Sequence, residues 1–116
     1  MKITKRDAPG AAIVDISGKF FGGPENSEKF HGFFKSLLEE GHKMVVVNLA
    51  KTPYANSQGI GMLIGAHTTL ANAGGELVLA NVTDRINDIL IVTRLLLIFK
   101  TFESEAEALE YLSSKH

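Results

Sequence analysis

The chain has 116 residues, 13 acidic and 12 basic side chains, a net charge of −1 and no cysteine. That length suits one domain with one core. The scattered, nearly balanced charge excludes a basic stripe for direct nucleic-acid binding, and the missing thiols exclude disulfide staples and cysteine chemistry.

The N-terminal run from Met1 to Asp7 lacks the apolar centre of a signal peptide. The longest apolar stretch, Leu95 to Phe99, is too short to span a bilayer. A soluble cytoplasmic domain over residues 1–116, with no membrane insertion, is the expectation. In chain order, Ile3 to Lys5 reads as a weak strand, Ala8-Pro9-Gly10 as a turn, and Ala11 to Ser17 as a second strand closing an antiparallel hairpin. Gly18 to Gly23 reads as a loop leaving the sheet. Pro24 suits the first turn of a helix, where its missing amide costs nothing. Phe30, Phe33, Phe34, Leu37 and Leu38 then fall on one helical face, and Gly41 stops the helix.

Val45 to Leu49 is apolar on both faces, as in a central strand. A second helix follows, reaching Ala73, with Ile60, Leu63, Ile64, His67, Leu70 and Ala71 as its inner stripe and Gly61, Gly65 and Ala66 allowing close packing. Asn72 to Gly75 ends it, and Glu76 to Ala80 is the next strand. Thr83 can cap a third helix with Ile86, Ile89 and Leu90 facing inward. Leu96 to Lys100 reads as a last strand. Ser104 and Glu107 form a capping-box pattern before a terminal helix docked by Ala108, Leu109 and Leu112. The order β-β-α-β-α-β-α-β-α implies an α/β fold: a mixed sheet, antiparallel hairpin first and parallel strands after, with helices packed on one face.

The most informative stretch is Tyr54-Ala55-Asn56-Ser57-Gln58-Gly59-Ile60-Gly61-Met62-Leu63. It places a hydroxyl near the first turn of a helix just past a strand, where unpaired amides favour an anion. On the chain's own pattern, Ser57 reads equally as a helix cap or as a phosphoacceptor. Other chemistries fit less well. Gly59-x-Gly61-x-x-x-Gly65 is a poor dinucleotide fingerprint, because loop residues separate it from the preceding strand and Asn81, not an acid, ends the next one. Ser57 lacks the Gly-x-Ser-x-Gly elbow of a hydrolase. His31, His42, His67 and His116 have no metal-ligand spacing, so no metal and no cofactor is expected.

Asn56-Ser57-Gln58-Gly59-Ile60-Gly61-Met62-Leu63, followed by Gly74-Gly75-Glu76-Leu77 leading into the next strand, resembles the STAS domain, and more narrowly the bacterial anti-sigma factor antagonists. The resemblance covers nearly the whole chain. In that family the motif is Asp-Ser-Ser-Gly-Leu-Gly, so Asn56 stands where the family has Asp and Gln58 where it has a second Ser. Phe21 stands where an acid is common. The resemblance implies a regulatory protein that is not an enzyme. It further implies phosphorylation of Ser57 by an anti-sigma factor that is a serine kinase, and reversal by a protein phosphatase. Asn56, Gln58 and Gly59, with Phe20, Phe21 and Gly22 of the neighbouring loop, are the expected partner-binding residues. A phosphorylation-independent scaffold, for example a subunit of a membrane-lipid transport complex, is the alternative reading.

Overall fold

A computed structural model describes residues 1–115. The strands are β1 (Lys2–Ala8), β2 (Ala11–Phe20), β3 (Met44–Ala55), β4 (Glu76–Ala80) and β5 (Thr101–Phe102). The helices are α1 (Pro24–Glu39), α2 (Ser57–Asn72), α3 (Asp84–Val92) and α4 (Glu105–Lys115). The strands form one sheet in the order β1-β2-β3-β4-β5. The β1–β2 pair is antiparallel and every later pair is parallel. This is the expected mixed sheet, in the expected element order.

The hairpin closes on Pro9 and Gly10, with Ala8 opposite Ala11 and Gly10 at a φ of +74° that glycine adopts without strain. β1 is an edge strand. Its Lys2, Lys5, Arg6 and Asp7 are exposed, and such charges discourage another chain from pairing there. α1 begins with Pro24 and ends in a paired cap: the His42 N–H donates to the Leu37 carbonyl and the Gly41 N–H to the Leu38 carbonyl.

Alternation along the central strands divides the apolar residues between two faces. Val14, Val45, Val47, Leu77 and Leu79 join Phe30 and Phe34 of α1, Ile60 and Leu63 of α2, and Ile86 and Leu90 of α3 in the main core. Ile13, Val46, Val78 and Ala80 point the other way and are covered by Ala108 and Leu112 of α4. Helices on one face is therefore correct for α1, α2 and α3, while α4 packs on the opposite face. The doubly apolar strands require it, because a bare reverse face would leave those residues in water.

Several boundaries differ from the pattern. β2 continues through Gly18 and Lys19 to Phe20, so the loop starts three residues later than Gly18. β3 runs on to Ala55. Its later half pairs with the end of β2 in a shifted register, and the Ile16 carbonyl in that irregular stretch accepts from the buried Thr52 hydroxyl at 2.6 Å. Only Asn56 then separates β3 from α2, so distance from the strand is no argument against a phosphate-binding turn; the missing acid at Asn81 still is. The last strand is Thr101–Phe102, not Leu96 to Lys100; Leu95–Leu97 is a 3-10 turn. Thr83 sits at the cap position of α3, but its hydroxyl donates to the Thr52 carbonyl instead of capping. Ser104 does cap, its hydroxyl oxygen accepting the Glu107 N–H. The His67 and Phe99 rings meet in a T-shaped arrangement, with centroids 5.5 Å apart. His116 lies outside the described residues.

Candidate functional site

The site is built where the β2–α1 loop meets the β3–α2 junction. Asn56 is the N-cap of α2, in extended backbone geometry, and its Oδ1 accepts the Gly59 N–H at 2.8 Å. The same oxygen accepts the Gly22 N–H at 3.3 Å, and the Asn56 N–H donates to the Phe20 carbonyl at 3.4 Å. One side chain thus caps the helix and ties the two loops together. Asn26 adds a further tie, its Nδ2 donating to the Phe21 carbonyl at 2.9 Å.

The loops meet at glycines because nothing larger fits. A Cβ on Gly59 would stand 2.0 Å from the Phe20 carbonyl oxygen, and a Cβ on Gly22 would stand 2.4 Å from the Gln58 Cβ. Gly59 is buried, and its role is to admit that approach.

The cap being Asn56, Ser57 is the first residue inside the helix, and it is exposed. The first turn of α2 contains no acid. A negative group on the Ser57 hydroxyl would meet the positive end of a 16-residue helix with no carboxylate of its own turn opposing it.

The remaining expected residues separate. Gln58 is exposed beside Ser57. Phe21 is 37% exposed. Phe20 is fully buried, its ring 5.6 Å from that of Phe30, so it leaves the candidate surface. Gly22 and Asn56 are half-buried and act through backbone and cap hydrogen bonds.

Two features escape sequence reasoning. Tyr54 is 43% exposed and the Arg85 guanidinium lies 4.7 Å from its ring centroid. Both line a hollow with Phe21, Asn56, Asp84 and Asp88. Tyr54 opens the stretch singled out in the sequence, but its partner Arg85 arrives from α3 and has no local signal. On the other side of Gln58 runs a groove of about 510 Å³ between α1 and α2. Phe30, Phe34, Met62 and Ala66 form its floor, and Gly61 and Gly65 open onto it. Those two glycines have nothing within 4 Å of a built Cβ, so they face the groove instead of permitting helix contact.

Among the described residues, no group of three or more His, Asp or Glu could hold a metal ion. None of their helices is long and apolar enough to cross a membrane.

Residues 2–108 match the STAS domain family. The chain belongs to that family. Its fold is similar to that of an anti-sigma factor antagonist from Mycobacterium paratuberculosis, with a TM-score of 0.81 at 15% identity, covering 97% of this chain and 93% of the other. SpoIIAA, the Bacillus cell-fate determinant solved in a phosphorylated form, gives 0.71 at 14% identity, covering 95% and 98%. A sulfate transporter family protein from Wolinella succinogenes gives 0.78 at 22% identity, covering 93% and 89%. The STAS fold is thus shared by regulators and by transporter-associated domains.

Proposed function

We propose that this STAS domain is a cytoplasmic anti-sigma factor antagonist-like regulator, not an enzyme, that docks an anti-sigma factor/serine kinase and is switched by phosphorylation of Ser57. The observation that carries the reading is the exposed Ser57 hydroxyl at the first position of α2, on a junction that Asn56 fixes to the neighbouring loop. Exposure admits a kinase, and the fixed loops let a local change of charge act on a preformed surface. Phe21, Gln58 and Ser57 form the exposed part of that surface; Asn56, Gly22 and Gly59 hold it in shape.

Phosphorylation adds about −1.5 to −2 charges and three acceptor oxygens. The helix end favours that charge by about 0.3–1 kcal/mol at an exposed position, so the domain stays folded. The effect falls on the partner. A charge brought unpaired into a docked surface costs about 2–5 kcal/mol, which separates binding from release by orders of magnitude. A protein phosphatase completes the cycle.

Asn56 also favours a second reading. As a neutral amide, it satisfies both Gly22 and Gly59 without offering the carboxylate found in the family motif, so the same junction could serve a phosphorylation-independent scaffold. A pull-down from native lysate with wild type, Ser57→Ala and Ser57→Glu separates the two. The switch requires wild type and Ser57→Ala to capture an ATP-binding kinase that Ser57→Glu does not. Capture of one stoichiometric partner by all three assigns the scaffold.

A further inference from the structure

The segment joining α3 to β5 carries an apolar surface that the Ser57 reading does not use. Ile91, Val92, Leu96, Leu97 and Ile98 are all exposed, Val92 at 82% and Leu97 at 87%. They come together because α3 ends at Val92, Arg94 turns the chain with a φ of +62°, and the Leu95–Leu97 turn packs back against α3. Phe99 plugs the main core beyond them and anchors the segment. Residues this apolar, placed together in water, mark a surface meant to be covered.

The charge around them indicates what covers it. From Ile89 to Phe102 there is no Asp or Glu, while Arg94 and Lys100 are present and exposed. The stretch therefore carries +2 while the rest of the chain carries −3. Asp88 and Glu103 bound the acid-free stretch at its two ends. Aliphatic side chains flanked by cations match the acyl boundary and headgroups of an anionic lipid leaflet. A second copy fits worse, since a two-fold contact would place two segments of charge +2 in one interface with no acid of either segment to offset them. A protein partner also fits worse: the exposed residues are aliphatic, with no exposed Trp or Tyr among them to act as the aromatic anchor that protein hot spots favour, and Val92 and Leu97 are almost fully exposed.

We infer that the Ile91–Ile98 segment is a peripheral docking site for an anionic membrane surface, with Val92 and Leu97 entering the acyl boundary and Arg94 and Lys100 meeting lipid phosphates. The contact is shallow and reversible, of the kind that needs both an apolar and a basic contribution. It places the Ser57 surface near a membrane without depending on what Ser57 does.

The test is co-sedimentation of the full chain with phosphatidylglycerol-containing vesicles and with pure phosphatidylcholine vesicles. It uses wild type, Val92→Ser/Leu97→Ser and Arg94→Gln/Lys100→Gln, with melting curves to confirm folding and sedimentation velocity to read self-association. Wild type should pellet with the anionic vesicles and be released by salt. Each double variant should bind at least about tenfold more weakly with its fold intact. Failure of wild type to pellet overturns the inference, as does equal binding to neutral vesicles. A wild-type dimer that Val92→Ser/Leu97→Ser abolishes, without vesicle binding, assigns the patch to a second copy instead.

Discussion

Asn56 Oδ1 stands 3.3 Å from the backbone nitrogen of Gly22, a residue 34 positions away in the chain, while it also caps α2 through Gly59. A single acceptor therefore sets both the helix start and the spacing between the two loops that flank Ser57.

Replacing Asn56 tests that double role. Asn56→Ala removes a cap and leaves the Gly22 amide in a half-buried position, and should lower stability by about 1–2 kcal/mol in urea unfolding. Asn56→Asp should be at least as stable as wild type at neutral pH, because a carboxylate makes the same contacts and complements the helix end. Equal stability of all three would show that the bridge contributes nothing.

Gly59 and Gly61, two residues apart on the same helix, should respond to alanine in opposite directions. Gly59→Ala drives a Cβ into the Phe20 carbonyl, a backbone atom that cannot swing away, and should destabilise by about 2–4 kcal/mol. Gly61→Ala meets open space in the helix interior and should stabilise by about 0.5–1 kcal/mol. Thermal melts of the two variants side by side are sufficient.

The ion network that fastens α4 to the sheet gives a pH signature. Arg6 donates to both Asp15 oxygens, at 2.6 and 2.9 Å, and to Glu105, which also accepts from Asn48 at 2.6 Å. The Arg6 hydrogen bond, followed by that from Asn48, holds the Glu105 carboxyl below its ordinary range despite partial burial. A depressed carboxyl stabilises the fold above its unfolded value and loses that contribution as pH falls through the folded one. Arg6 is about half-exposed, so solvent screening limits the contribution to about 0.5–1 kcal/mol. Glu105→Gln should flatten the fall in stability between about pH 5 and about pH 3. An unchanged acid slope would remove Glu105 from the account.

Thr52 offers a test of the irregular β2–β3 pairing. Its fully buried hydroxyl supplies the Ile16 carbonyl with a donor. Thr52→Val keeps the shape, removes that donor and should cost about 1–3 kcal/mol, read by chemical denaturation.

Much of this architecture is legible in local pattern. The Phe30–Phe34–Leu37 spacing gives α1, and the doubly apolar Val45 to Leu49 run gives the centre of the sheet. What escapes is non-local. The polar Lys51 and Thr52 and the ring of Pro53 conceal the second half of β3, which is held by the end of β2. Phe20 and Phe21 are identical in type, and only the alternation imposed by a longer β2 decides which is buried. Leu96 to Lys100 has the composition of a buried strand, yet Arg94 reverses the chain before it and only Phe99 reaches the core. At the site, the motif identifies Ser57, but the tie from Asn56 to Gly22 and the stack of Arg85 on Tyr54 exist only once distant segments meet.

The central claim is that Ser57 is a phosphorylated switch residue, and the most direct measurement is its phosphate occupancy in protein isolated from its native cell with phosphatases inhibited, read by peptide mass spectrometry. A Ser57 switch predicts a phosphorylated fraction at Ser57 that changes with growth conditions, and loss of kinase binding by that fraction. Ser57 found unmodified under every condition, with partner binding intact, would contradict it.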